Sequence, residues 1–463
     1  MDFYLKQKMS NLSPPSRTIA AIATATGQGG IGIIRLSGDR VPDIAIRLLG
    51  QLPPPRYAHY AQFKDAQGHL IDEGLALYFC KPHSFTGEHV LELHTHGSPI
   101  VLNLLLKHLL TMDISIALPG EFSERAFLNG KMDLLKAEAI ADLINASSEQ
   151  AAHSAARSLQ GVFSQQIFQL VEQLIQLRVY TEATLDFPEE DTDLCSDHYL
   201  HTLFEPIQKT LMQIQLNATQ GVLLRDGMQV VIAGEPNVGK SSLLNQLSGQ
   251  DTAIVTDVPG TTRDLLRVHI HIDGFPLHII DTAGLRVTQD IVEKEGIRRA
   301  QEAIAKADQI LFVIDANQVD LSLDSTLFFG AELDLNKLIL VRNKIDLYQE
   351  MPKLEKQKAG YWVASISAKT GAGIELLRMH LKTSLGFSHA TENIFIARQR
   401  HLIALEKANE HLAQANFHWK NNTSAELMAE ELRLCQAALS GITGAFIADD
   451  LLGEIFRQFC IGK

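Results

Sequence analysis

A chain of 463 residues that is 46% hydrophobic and 21% charged reads as an ordinary globular protein of roughly three domains. Its net charge of −13 argues against a free-standing nucleic-acid binder, because phosphate neutralisation needs clustered Lys and Arg. No apolar run reaches the ~18 residues that span a bilayer, and cysteines at 80, 195, 435 and 460, with no C-x-x-C pair, argue against structural zinc or a disulfide framework and fit a reducing cytoplasm.

The opening MDFYLKQKMSNLSPPSRT carries positive charge, but no leucine-rich core follows, so TIAAIATA reads as a strand rather than a secretory signal. Met9 is an alternative start, and residues 1–16 read as an extension. Up to residue 130, short β-branched runs (TIAAIATA, GIGIIRLSG, LALYFC, VLELHTH) alternate with helical pattern, an α/β region. Ser98-Pro99 is expected to open a helix over SPIVLNLLLKHLL, the serine capping and the proline sitting first. Gly27 to Gly32 satisfies G-x-G-x-x-G, but that fingerprint must open a helix, and the IGIIRLSG that follows is strand-like. A glycine-rich turn between strands is the better reading. His94 and His96 would share one strand face, without a third ligand nearby to complete a metal site.

Residues 131–222 show helical periodicity rich in Ala, Leu, Gln and Glu, interrupted at Asp186-Phe187-Pro188. Residues 226–385 alternate strands and helices; VVIAG, LHIIDTAG, QILFVIDA and KLILVRNK are continuously apolar, as strands of a parallel sheet covered on both faces are. Helical periodicity returns over 386–463. Two helical segments flanking an α/β unit imply that the unit is inserted into one discontinuous helical domain. The expected class is therefore multidomain α/β plus all-α, with a doubly wound, mostly parallel sheet in the insert.

That insert carries the chemistry. Gly234-Glu-Pro-Asn-Val-Gly239-Lys240-Ser241 matches G-x-x-x-x-G-K-[ST] between an apolar strand and a helix. Backbone N–H groups from Asn237 and Val238 to Ser242 can wrap phosphates, Lys240 can reach the β/γ oxygens, and the Ser241 hydroxyl can hold Mg²⁺. Thr262, in Gly260-Thr261-Thr262-Arg263-Asp264, can complete the Mg²⁺ shell. Asp281-Thr282-Ala283-Gly284 follows a strand, where the carboxylate can meet Mg²⁺ through water and the Gly284 N–H the γ-phosphate. In Asn343-Lys344-Ile345-Asp346, Asp346 can accept from guanine N1–H and the exocyclic amine, a pair adenine lacks. Ser367-Ala368-Lys369 can present backbone N–H to guanine O6. These motifs in this order define a GTP site. After DTAG stands Leu285, where Ras-like enzymes carry a water-orienting glutamine. The C-terminal Cys460-Ile-Gly-Lys does not suit prenylation.

The GTPase motifs, the split helical segments, FTGEHVLELHTHG, PGEFSERAFLNGKMDLLKAEAIADLI and the terminal DDLLGEIFRQFCIGK together resemble the MnmE (TrmE) family of bacterial tRNA-modification GTPases, over nearly the whole chain from Thr18. The resemblance implies a homodimer whose N-terminal α/β domain (1–130) binds a 5-formyl- or methylene-tetrahydrofolate, with contacts from Arg35, Glu92, Lys131 and Lys463. It implies work with an MnmG-like FAD protein, in a heterotetramer, on C5 of the wobble uridine (U34) of certain tRNAs, in the cytoplasm and away from membranes. The nucleotide site would take in the loop Thr256-Asp257-Val258-Pro259. Potassium would replace an arginine finger, held by Asn237, Thr256, Val258 and Thr261, as GTPase domains dimerise across their nucleotide faces; Glu293 would orient the water in place of the missing glutamine. Cys460 is either a nucleophile on uridine C6 or a small apolar residue packing the tail. The rival readings are a regulatory GTPase of the ribosome-assembly type, which lacks a use for the N-terminal domain, and a folate-dependent transferase that GTP only regulates.

Overall fold

The computed structural model describes residues 17–186, 197–249, 266–272, 275–281, 298, 301–318, 334–384, 395–421, 425–444, 455–456, 459 and 462. The chain divides into two compact units, one of residues 1–141, 158–208 and 404–463, the other of residues 142–157 and 209–403.

In the first unit, β1 (Ile19–Ile22), β2 (Gly29–Ser37), β3 (His59–Lys64), β4 (Leu70–Phe79), β5 (Val90–Gly97) and β6 (Ser115–Ile116) form one sheet in the order β3-β4-β5-β2-β1-β6. All neighbours are antiparallel except β1 and β6. The segment containing Gly27 joins two antiparallel strands, as expected of a strand-to-strand turn. Gly29, Gly30 and Gly32 of the cluster, however, lie on β2 itself, where the pairing with β5 shifts register between Gly29 and Gly32. Helices α1 (Val41–Leu49) and α2 (Pro99–Leu110) pack on one face, where Ile34, Leu36, Leu91 and Leu93 meet Ile44, Leu105 and Leu109. Pro99 takes the first turn of α2 as expected, but the Ser98 side chain makes no capping bond. Proline, which fixes φ and has no N–H to satisfy, sets this helix start without the serine hydroxyl.

Helicity begins earlier than the Ala/Leu periodicity indicates, with α3 (Glu121–Leu128), followed by α4 (Leu134–Ile144), α5 (Glu149–Gln160), α6 (Val162–Asp186) and α7 (Asp197–Asp226). Helix α6 ends at Asp186, at the expected Asp-Phe-Pro break. Near the C-terminus, Phe456 and Phe459 pack with Phe127 and Leu134 in one apolar cluster.

The second unit holds a sheet of seven strands: β7 (Met228–Gly234), β8 (Leu266–Ile272), β9 (Phe275–Asp281), β10 (Gln309–Asp315), β11 (Leu338–Asn343), β12 (Lys353–Lys356) and β13 (Trp362–Ser365). Their order is β12-β13-β11-β10-β7-β9-β8, with the five inner strands parallel and the two edge strands antiparallel. One face buries Val230, Ile232, Leu311 and Val341 with Leu243 of α8 (Lys240–Ser248) and Leu377 of α9 (Ile374–Ser384). The other buries Val231, Ala233, Phe312 and Leu340 with Ile304. Inner strands apolar on both faces are what a parallel sheet covered on both sides requires. Helices α10 (Gln399–Lys420) and α11 (Ala425–Thr443) complete the described helices, α11 packing along α6 within the first unit.

Candidate functional site

Strand β7 runs out at Gly234, and the loop to Gly239 turns the chain into α8. A Cβ on Gly234 (φ 140°) would lie 2.1 Å from the Val313 carbonyl oxygen, so the loop can leave the sheet here only with glycine. Gly239 (φ 99°) caps α8, and a Cβ there would meet the Asn343 amide at 2.3 Å. Asn237 also sits in the left-handed region, at φ 64°. These conformations leave a backbone cradle at a helix N-terminus, where the helix dipole favours anions. Lys240 is buried at 6% exposure, its ammonium donating to the Gly234 and Glu235 carbonyls at 2.8 and 2.7 Å. The ammonium is thereby held inside the loop that would surround a phosphate.

Two further loops meet this cradle. Asn343, 2% exposed at the end of β11, donates to the Val238 carbonyl (2.8 Å) and accepts from the Ala368 N–H (2.8 Å). One side chain therefore ties the phosphate loop to the Ser367-Ala368-Lys369 loop. Ser367 Oγ donates to Asp346 Oδ1 at 2.6 Å and accepts from the Thr370 N–H at 3.2 Å, fixing the carboxylate beside that loop. Lys344 (φ 69°) pairs with Asp315 at 3.0 Å. This hydrogen bond, with help from the Asn317 N–H and the Tyr348 hydroxyl, holds the Asp315 carboxyl below its ordinary range. The structure thus brings Asn237, Val238, Gly239, Lys240, Ser241 and Ser242 into one unit with Asn343, Lys344, Ile345, Asp346, Ser367, Ala368 and Lys369. Asp281 ends β9, opposite Ile232 of β7 in register. Thr256, Asp257, Val258, Pro259, Gly260, Thr261, Thr262, Thr282, Ala283, Gly284, Leu285 and Glu293 lie outside the described residues.

The N-terminal sheet carries a second polar group. Arg35 of β2 and Glu92 of β5 are cross-strand partners joined at 2.8 Å. The Arg35 guanidinium stands 5.7 and 5.9 Å from the Phe85 and Phe122 ring centroids and donates to the Gly462 carbonyl at 3.4 Å. Lys131 donates to the Pro82 carbonyl at 2.9 Å, and its stem lies against Gly87, so the 82–87 loop touches both Lys131 and Arg35. Cys460 and Lys463 lie outside the described residues, flanking Gly462. Along the same strand as Glu92, His94 comes within 3.6 Å of Glu92 and His96 within 2.8 Å of Asp72.

Sequence reasoning missed the hub behind this group. Arg125, fully buried, donates to Glu88 at 3.0 Å, to Glu121 at 2.8 Å and to the Arg17 carbonyl at 3.0 Å, while Glu88 accepts from Ser37 at 2.7 Å. Its only signal was Arg125 within SERAF, a helical charge that periodicity alone leaves at the surface. The Asp315 partner of Lys344 was likewise invisible, read only as the end of a strand.

A family model described as the MnmE helical domain matches residues 134–460, and one described as the GTP-binding protein TrmE N-terminus matches residues 18–131. The chain belongs to the MnmE family. A relative from Coxiella burnetii named tRNA modification GTPase MnmE is 55% identical over 448 residues, covering 96% of this chain and 98% of its own. Relatives of the same name from Stutzerimonas stutzeri and Yersinia pseudotuberculosis are 54% and 55% identical, covering 97% and 96% of this chain and 100% and 99% of their own. The MnmE helical match runs across the whole seven-stranded unit, in keeping with an α/β insert between helical segments. Among the described residues no helix is long and apolar enough to cross a membrane.

Proposed function

We propose that this MnmE-family protein is a GTPase that modifies tRNA, coupling GTP hydrolysis to installation of an aminomethyl or carboxymethylaminomethyl group at C5 of wobble uridine U34, together with an MnmG-like FAD protein. The observation that carries the nucleotide reading is Asn343, which ties the phosphate loop to the loop beside Asp346. In this reading Asp346 selects guanine, the Ala368 and Lys369 amides face its O6, and Lys240 turns from the Gly234 and Glu235 carbonyls to the β/γ-phosphate oxygens. Ser241 and Thr262 would hold Mg²⁺, and Asn237 with Thr256, Val258 and Thr261 would hold K⁺, cations that when bound would supply positive charge against the negative charge developing in phosphoryl transfer. Glu293 orients the attacking water, the role Leu285 cannot fill.

For the N-terminal domain (1–130) the reading is a tetrahydrofolate site shared across a homodimer, the folate supplying the one-carbon unit. The half-buried Arg35–Glu92 pair, its guanidinium near two aromatic rings and the Gly462 carbonyl, supports this: it is an amphipathic site able to take a flat ring bearing polar edges. Lys131 and Lys463 would meet the acidic end of the ligand. In the order of the sequence the GTPase domain (226–385) falls between the two segments of the helical domain (131–222 and 386–463), the second of which carries Cys460. The acidic chain draws its grip on tRNA partly from the MnmG-like partner in a heterotetramer, in the cytoplasm. The test is reconstitution with such a partner, tRNA, GTP, Mg²⁺, K⁺, methylene-tetrahydrofolate and ammonium or glycine as the source of the amino nitrogen, followed by mass analysis of wobble uridine. New C5-substituted uridine that disappears when Na⁺ replaces K⁺, or when residues 462 and 463 are deleted, is the expected result. Unmodified uridine under the complete conditions would refute the reading.

A further inference from the structure

The turn after β10 is more heavily anchored than a strand exit requires. The Ala316 N–H donates to the Asn343 carbonyl at 2.8 Å, and the Ala316 carbonyl accepts from Arg342 at 2.7 Å. Arg342 is itself held by Glu350 at 2.9 Å. Gln318 reaches Glu235 of the phosphate loop at 3.4 Å. From this fixed turn the Asp315 carboxylate takes the Lys344 ammonium at 3.0 Å and the Asn317 N–H at 3.2 Å. Lys344 is a non-glycine residue at φ 69°, a conformation that costs roughly 1 kcal/mol and persists only when its surroundings enforce it. Lys344 is thus held at its backbone by left-handed geometry and at its tip by a carboxylate, which restricts its four-carbon stem at both ends. That stem begins two residues before Asp346, at the edge of the base site.

We propose that Asp315 is a positioning residue for guanine nucleotides: it stretches Lys344 so that the lysine stem forms one wall against the face of the base. The proposal rests on the reading of Asn343 to Asp346 as the guanine site. A flexible lysine would have to be ordered each time nucleotide binds, and side-chain ordering weakens binding; the Asp315 pair arranges it beforehand. The contact is to the base face, whereas Asp346 reads the base edge. Asp315 should therefore affect all purines that fit equally, and Asp346 should discriminate among them.

The experiment is calorimetric titration of the full-length protein with GDP and with inosine diphosphate, which lacks the exocyclic amine. Asp315→Ala should weaken GDP about three- to tenfold, the range expected for a partly exposed ion pair with added ordering. Inosine diphosphate should weaken by the same factor, and in steady-state hydrolysis the loss should fall in KM rather than kcat. In a Lys344→Ala background, Asp315→Ala should add less than twofold. Asp315→Asn, which keeps an oxygen for the Asn317 N–H but loses the charge, should fall between, and serves if the alanine variant does not fold. Unchanged GDP affinity in both variants, or an undiminished loss in the Lys344→Ala background, overturns the proposal. A changed ratio of GDP to inosine diphosphate affinity also overturns it, since Asp315 would then be shaping the edge contact. Asp346→Asn retaining full preference for guanine is a separate result, and it overturns the guanine-site reading itself.

Discussion

Replacing Asn343 by alanine removes a side chain that bonds both the phosphate loop and the loop beside Asp346. The Val238 carbonyl and the Ala368 N–H each lose a partner at 2.8 Å, next to a residue only 2% exposed. Leaving a buried polar group without its partner costs about 1–3 kcal/mol. Water entering the small cavity offsets part of this, so the expected loss is about 2–4 kcal/mol. For a unit of this size that corresponds to roughly 5–12 °C of melting temperature. Scanning calorimetry of the full-length protein identifies the relevant transition as the one GDP raises, because a ligand stabilises only the unit that binds it. The same substitution frees the two loops from each other, so GDP affinity should fall at least about tenfold. Asn343→Asp keeps the acceptor for Ala368 but sets a carboxylate against the Val238 carbonyl, and should also fail to hold GDP. An alanine variant that melts with the wild type and binds GDP within about twofold of it would refute the claim that this residue joins the loops.

Gly234→Ala should abolish nucleotide binding in a titration with GDP, because its Cβ would meet a main-chain oxygen 2.1 Å away that no rotamer change can move; retained affinity would mean the loop forms otherwise. Asp142→Ala removes the carboxylate oxygen shared by Arg225 and Arg398, each at 2.9 Å, and should cost about 2–3 kcal/mol in urea unfolding, less than a fully enclosed pair because Arg225 is 31% exposed. A loss below about 0.5 kcal/mol would place this network among ordinary surface charges. His380 lies against Trp362 with ring centroids 4.3 Å apart and planes tilted by 49°, and burial lowers its pKa from 6.5. The unfolded imidazole then takes a proton that the folded one resists, so the stability His380 contributes is complete above pH 6.5 and is lost as pH falls below it. Comparing stability at a series of pH values between His380→Phe and wild type should give a shallower acid slope for the variant; identical slopes would contradict the sign.

What was legible in the sequence divides along physical lines. Inner strands β7, β9, β10 and β11 announced themselves as continuous apolar runs because both of their faces are covered. The edge strands β8 (LRVHIHI) and β12 (KLEK) did not, since one alternates with His and Arg and the other is mostly charged, as suits edges that must resist pairing with other chains. The nucleotide motifs were readable because each is local, a few residues whose spacing alone dictates the chemistry. The ties between them, Asn343 to Val238 across 105 residues and Lys344 to Asp315 across 29, exist only once the parallel strands are in register.

The Arg35–Glu92 pair makes the same point more sharply. Each residue alone reads as a charge on a strand, free to face solvent. Yet Ile34 and Leu36 on one strand and Leu91 and Leu93 on the other are all completely buried beneath α1 and α2. Side chains alternate along a strand, so sinking those four residues forces Arg35 and Glu92 onto the opposite face. A slip of one residue in the pairing would turn every one of these side chains over, which the core forbids. The register Ile34 with Leu93 and Leu36 with Leu91 then leaves Arg35 directly across from Glu92. The apolar face therefore builds the polar pair, and a residue pattern that records only packing fixes where an ion pair must form.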